Sequence, residues 1–272
     1  MSVNSKIKIS DFYFMVPFIL IIIVWFALSY FKIINPILIS NPYEVLQTII
    51  KLFEKKTTGG QSYLLTNISA SYYRLILSFC IASVIGVTFG ILMGTSGKIS
   101  WFFNPILTLF MPIPGIAWAP IFMIWIGFGD ITIIAVSALA AVFPIIYNTS
   151  AGVSHIDKEY VWAAQSMGAK NSDLFLKVYL PFSSVDIFTG LKLGLARCWR
   201  TVIAVEMIAA TMWGLGFMIF DAREYLLPSV IYAGIVITAI TFYIIENFVI
   251  RWFEERTIVR WGMINKGGFD GY

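Results

Sequence analysis

A chain of 272 residues with 59% hydrophobic side chains, 12% charged ones and a mean hydropathy of +0.83 cannot cover a soluble surface, because soluble domains carry about a quarter charged residues. The composition describes a polytopic membrane protein with one membrane domain. The formal net charge of +4 then reports membrane sidedness rather than a nucleic-acid surface. Cys80 and Cys198 both lie inside apolar runs, where buried thiols are expected rather than a disulfide.

A helix needs about 20 apolar residues to cross the hydrocarbon, and six runs approach or reach that length. The first is Phe14 to Phe31, whose long apolar stretch and poor cleavage site favour a retained span over a signal peptide. Next comes the segment from Asn41 to Gly60. Asn41–Pro42 gives a helix start, and Val45, Leu46, Ile49, Ile50 and Phe53 recur at helical spacing. An amphipathic helix lying on the outer membrane surface and ended by Gly59–Gly60 is expected. The alternative for it is contact with a delivery protein.

The second span runs from Leu75 to Met93, opened by Arg74 and closed by "GTSGK". The third, about Asn104 to Trp125, contains "MPIPGIAWAP", and Pro112, Pro114 and Pro120 must kink or unwind it. Broken spans often line substrate paths. Met111, Pro112 and Trp118, with Phe122, are therefore candidates for a gate around a small solute, against a kink used only for packing. The fourth span is Ile131 to Asn148, the fifth about Ile187 to Thr211, and the sixth about Pro228 to Ile250.

Six spans put both termini on one side. Lys6, Lys8, Lys98, Lys158, Lys170, Lys177, Arg251, Arg256, Arg260 and Lys266 fall there, against Lys32, Lys51, Lys55, Lys56 and Arg223 opposite. That bias predicts a cytoplasmic N-terminus over residues 1–13 and a membrane domain over 14–250. It also predicts a cytoplasmic loop over 155–181 and a cytoplasmic tail over 251–272.

The cytoplasmic loop is amphipathic where the rest of the chain is oil. Asp157 is a good N-cap for a helix of about three turns, "KEYVWAAQSM", stopped at Gly168. A second short helix is expected from Asn171–Ser172–Asp173 through "LFLKVYL" to Pro181. Together they form an αα corner. Ala163, Ala164 and Met167 leave on its first helix a small-residue surface that a partner's groove can approach closely.

Four charges lie along the fifth span: Lys192, Arg197, Arg200 and Glu206. Arg200 falls about 16 Å past Thr189, near mid-membrane. Lys192 can snorkel to the headgroups. Ionised groups at that depth face a bundle interior or an aqueous path. Arg197 and Arg200 thus either offer a cationic surface to a passing anion, helped by Trp199 and Thr201, or pair with backbone carbonyls or with Glu206 of another segment. Lone His155 argues for an interfacial polar residue rather than a metal site. No phosphate-binding G-x-x-x-x-G-K-[ST] motif is present, so any ATP must be hydrolysed by another chain.

Ala163–Ala164, then Gly168, then Leu180–Pro181 resemble the "EAA" loop of permease subunits of bacterial ATP-binding-cassette (ABC) importers. "NPILTLFMPIPGIAWAPIFMIWIGFGD", "FPIIYNTSAGV", "TGLKLGLA", "VIAVEMIAAT" and "GLGFMIFDAREYL" are similar to the branch importing nitrate, taurine, sulfonates and related compounds, over about Ser62 to Trp252. The resemblance implies an all-α polytopic membrane protein with the type I ABC importer permease fold. Its six transmembrane helices would carry a cytoplasmic coupling-helix loop. It implies a non-enzymatic subunit of the bacterial cytoplasmic membrane, working as a homodimer. Two ATPase subunits would bind ATP and Mg, and an extracytoplasmic binding protein would deliver the solute.

Glu159, Trp162, Ala163, Ala164, Met167, Gly168, Leu180 and Pro181 would then meet the ATPase. Glu206 falls where this family commonly has a Glu, and the resemblance implies a structural, gate-supporting role for it. The usual Glu position of the loop is held here by Trp162, with Glu159 one turn earlier able to replace it. Two rival classes are an ion-coupled transporter acting without an ATPase, which wants paired acids or internal repeats, and a membrane enzyme, which wants a nucleophile–base or metal constellation. The sequence offers neither set.

Overall fold

The computed structural model describes residues 9–31 and 39–247. The expected sidedness markers Lys6, Lys8, Lys32, Arg251, Arg256, Arg260 and Lys266, and the tail over 251–272, lie outside the described residues. Among the described residues the secondary structure is helical throughout, with one isolated β-bridge between Lys56 and Ser62. One compact unit comprises the residues up to Thr66 with Met218–Ile237. The other comprises Asn67–Phe217 with the residues from Thr238 on.

In the first unit, α1 spans Ile9–Tyr30 and α2 spans Pro42–Glu54. The Asn41 side chain accepts a hydrogen bond from the Tyr43 amide at 3.0 Å, while Glu44 reaches back to the Asn41 amide at 3.3 Å. These bonds satisfy two donors that a helix start leaves open. Val45 and Leu52 are buried while Leu46, Ile50 and Phe53 are exposed, so part of the apolar stripe faces away from the protein. The end of α2 differs from the expected one. The helix stops at Glu54, and Gly59–Gly60 belong to the turn that follows, where the Ser62 hydroxyl binds the Phe53 carbonyl at 2.6 Å and the Tyr63 amide binds that of Lys55. Gly60, at φ +78°, supplies the turn rather than a helix cap. Trp25 packs on Tyr232 at 5.7 Å and donates to the Ser40 carbonyl.

The second unit is built on three long helices: α3 (Tyr63–Thr95), α6 (Asp130–Ser154) and α10 (Ser184–Ala209). Gly86, Gly90 and Gly94 recur every four residues on α3. A Cβ on each would fall 2.6, 2.6 and 2.5 Å from Ile145, Thr149 and Val153 of α6. Only glycine lets the two backbones approach so closely, the usual way that helices pack in lipid, where burial of apolar surface gives little drive. The matching order of contacts makes α3 and α6 parallel.

α10 is antiparallel to α6. Gly152 near the end of α6 abuts Asp186 near the start of α10, and the Gly129 amide just before α6 donates to the Ala209 carbonyl at the end of α10. Ile145 is the shared centre, touched from the other side by Gly190 and Gly194.

α4 (Gly97–Phe110) and α5 (Ala119–Ile126) flank a 3₁₀ turn, Gly115–Trp118. The expected third span therefore begins earlier than Asn104, at Gly97, and is unwound at the expected break, where its two halves meet at 95°. The helix ends at Phe110 because Pro112 and Pro114 withhold the amides that would continue it.

After α6 come α7 (Lys158–Ser166), α8 (Asn171–Leu174), a π-helical turn (Phe175–Tyr179) and α9 (Leu180–Phe182), then α10, α11 (Leu215–Glu224) and α12 (Pro228–Ile245). Among the described residues, three helices are long and apolar enough to span a membrane, or up to five when each bent pair counts as one; Ile19–Tyr30 of α1 is a shorter apolar helix. The six expected runs thus each correspond to a helix or a bent pair.

Candidate functional site

Two places in the second unit carry chemistry. The first is the corner between α6 and α10. Asp157 stands at the N-cap of α7, but its side chain makes no capping bond, so the expected position holds and the expected bond is absent. At the other end Gly168 has φ +85°. The Ala169 amide binds the Ala164 carbonyl and the Gly168 amide that of Gln165, the paired bonds of a Schellman stop.

The following helix begins with Asp173 accepting from the Lys170 amide at 3.2 Å and pairing with Lys177 at 2.7 Å. These bonds and the Lys177 charge hold the Asp173 carboxyl below its usual range. The helix is not uniform. Pro181 has no amide to give the Lys177 carbonyl, and the chain takes a π turn over Phe175–Tyr179 in which the Leu180 amide reaches back to Phe175. Tyr160 packs against Phe182 at 4.9 Å and joins the two arms. Glu159, Trp162, Ala163, Met167 and Gly168 are exposed on the first arm, Met167 by 89%, and Ala164 is half-buried. Leu180 and Pro181 are half-buried on the second arm.

The second place is the broken span against α10. The Arg197 guanidinium donates to the Met111 carbonyl at 2.6 Å, one of the acceptors that the break after Phe110 frees. Gly115 is wedged where a Cβ would lie 2.6 Å from the Thr201 hydroxyl and 2.8 Å from Ala140. Trp118 stacks on Phe110 at 5.5 Å, across the bend. Met111 and Trp118 are therefore half-buried in holding the bend, while Pro112 is exposed.

Of the two arginines, Arg197 takes the carbonyl-pairing role. Arg200 is exposed and has no hydrogen-bond or ion-pair partner among the described residues. Thr189, Leu193, Arg200, Ile208 and Thr211 form the exposed stripe of α10 and its end. Trp199 and Thr201 do not share that stripe. Trp199 is buried between Tyr72 and Phe242, and the Thr201 hydroxyl is turned back to the Arg197 carbonyl.

Glu206 is wholly buried, and its partner is Arg74, a residue that the sequence reading takes only as a flank of the second span. Arg74 Nη1 donates to Glu206 Oε1 at 2.7 Å, while Nε and Nη2 both reach Asp130 Oδ1 at 2.9 and 2.7 Å. Glu206 Oε2 also accepts from the Ser71 hydroxyl at 2.8 Å and the Gly216 amide at 2.9 Å. The Gly214 amide is bound by Asn67 and that of Leu215 by Ser71. A buried carboxylate is tolerable only with such full pairing. Asn67, Ser71, Arg74 and Ser78 recur at i, i+4, i+7 and i+11 and all are buried. That polar stripe at helical period was the available signal.

Both cysteines are free, Cys80 exposed and Cys198 buried. Among the described residues no group of three or more His, Cys, Asp or Glu is disposed to hold a metal ion.

Comparison with known proteins agrees with this architecture. The chain is 34% identical over 227 residues to the taurine transport system permease protein TauC of Escherichia coli, covering 82% of this chain and 80% of that one. It is 31% identical to a putative ABC transporter permease protein, MJ0413, of Methanocaldococcus jannaschii, covering 88% of each. It is also 33% identical to the nitrate import permease protein NrtB of Leptolyngbya laminosa, covering 66% of each. A chain of the MetNI methionine ABC transporter, solved in inward-facing conformations, superposes with a TM-score of 0.60 at 20% identity, covering 72% of this chain and 94% of that one. That last likeness establishes the fold alone. Residues 86–259 match the family of binding-protein-dependent transport system inner membrane components, and the chain belongs to that family as the permease subunit of an ABC importer, not an enzyme.

Proposed function

We propose that two copies of this chain form the translocation path of an ATP-driven importer for a small anion. The corner over Lys158–Phe182 seats in a cleft of a cytoplasmic ATPase subunit, which carries the ATP and Mg. An extracytoplasmic binding protein delivers the solute at the opposite end of the bundle, where α6 begins and α10 ends. Both termini are then cytoplasmic, in a bacterial inner membrane.

The observation that carries the anion reading is the state of the charges on α10. Glu206 is fully engaged by Arg74, Ser71 and Gly216, and Arg197 is held by the Met111 carbonyl, which leaves its positive charge uncancelled. Arg200, one turn on, is exposed with no partner among the described residues. A cation at that depth is costly unless water or a counter-ion meets it. Relatives named for taurine, nitrate and bicarbonate transport fit a path that favours anionic groups.

The test is uptake of nitrate, bicarbonate and taurine by cells carrying the complete system. Arg200→Gln is expected to cut uptake of the transported anion at least tenfold while complex assembly and basal ATP hydrolysis persist. Arg200→Lys should retain part of it, because the charge stays though the planar fork is lost. Normal uptake by the Gln variant would remove Arg200 from the path.

A further inference from the structure

The Arg74 network is asymmetric, and the asymmetry has a mechanical meaning. On one side Arg74 meets Glu206, a side chain 0% exposed that also accepts from Ser71 and Gly216. Separating that pair would strand a charge in the protein interior, so it stays closed. On the other side the same guanidinium, itself 5% exposed, meets Asp130, whose side chain is 52% exposed. Water can replace Arg74 around that carboxylate, so parting on this side costs less than on the Glu206 side.

Asp130 opens α6 directly after Gly127 and Gly129, at φ +94° and +119° with open space around both. This loop is the joint between α6 and α5, the second half of the broken span. Besides the ion pair, the described residues tie the joint down by the Gly129 amide on the Ala209 carbonyl and the Thr132 hydroxyl on the Gly127 carbonyl. Towards the coupling corner the two helices are locked by the glycine stripe of α3, whose contacts begin at Gly86. At the far end the ion pair is a polar contact that joins α3 to α6.

We propose that Arg74 is a positioning residue of the transport cycle, fixed to Glu206 and releasably bound to Asp130. In this account the bundle opens at that end when Arg74 and Asp130 part, freeing the α5–α6 joint. The inference rests on the importer reading given above. A resting complex that holds this end closed hydrolyses ATP slowly until the binding protein favours the open form, since a ligand shifts such an equilibrium only by its differential affinity. Weakening the Arg74–Asp130 contact lowers the cost of opening without any ligand.

The experiment compares wild type, Asp130→Asn and Asp130→Glu in the complete complex, reconstituted with its ATPase in vesicles, with and without the binding protein. Stimulation of wild-type hydrolysis by the binding protein tests the importer reading by itself. Asp130→Asn is expected to raise hydrolysis without binding protein by about two- to fivefold, the shift that loss of a half-exposed ion pair can give. It should leave the melting temperature of the complex unchanged, and Asp130→Glu, which keeps the charge, should return the rate towards wild type. Unchanged hydrolysis in the Asn variant would overturn the proposal. So would a lowered melting temperature with both rates falling together, which is the behaviour of a purely structural contact.

Discussion

Arg74→Met is expected to destabilise the protein strongly. The change leaves Glu206, 0% exposed, without its cation. Removing one member of a buried pair costs about 3–5 kcal/mol because the remaining charge is stranded. The loss spreads further, since Glu206 also fixes the Gly216 amide and, through Ser71, the Leu215 amide. The purified complex should therefore melt at a lower temperature and yield little assembled material. The double variant Arg74→Met, Glu206→Met should recover part of the stability, because no charge is left buried. Recovery is incomplete because Gly216 loses its acceptor and Ser71 one partner. A singly substituted Arg74→Met complex with wild-type melting would contradict the buried-pair assignment.

Gly168→Val is the second large effect, and it acts on coupling rather than on folding of the spans. The residue sits at φ +85° with open space around it, so the obstacle is backbone strain and not collision. A β-branched side chain in that region costs about 1–3 kcal/mol, and the chain relieves it by unwinding the Schellman stop after Gln165. The two arms of the corner then lose their fixed angle. Membrane insertion and the melting of the spans should stay near wild type, while solute uptake and binding-protein-stimulated ATP hydrolysis fall together, severalfold. Retention of both rates would remove the corner from the mechanism.

Local chemistry was readable in the sequence, and long-range pairing was not. The amphipathic α2, the break at Pro112–Pro114 and the stop at Gly168 follow from turn residues, proline and hydrophobic period acting over a few positions. The π turn over Phe175–Tyr179 is not legible, because Pro181 announces a missing amide but proline alone does not say whether a helix ends or bulges. Arg74 is not legible for a different reason. Its partners lie 56 and 132 residues away, and a run of apolar residues starting at Leu75 makes it resemble a flanking charge. α3 in fact begins at Tyr63, eleven residues earlier, which puts Arg74 well inside the helix. On α10 the sequence leaves both arginines either role. The structure divides them, because one carbonyl freed at Met111 satisfies Arg197 and leaves Arg200 exposed.

Coupling of a separate ATPase to the spans through the corner over Lys158–Phe182 can be read by cross-linking at Ala163. That residue is exposed on the small-residue face of α7, and a cysteine there adds little bulk. In membranes holding the assembled complex, Ala163→Cys should form a cross-link through a short bifunctional reagent to a cysteine placed in the cleft of the ATPase subunit. Its yield should change when ATP is added. An intact, ATP-hydrolysing complex in which Ala163→Cys gives no cross-link to the ATPase would mean that the corner does not dock there.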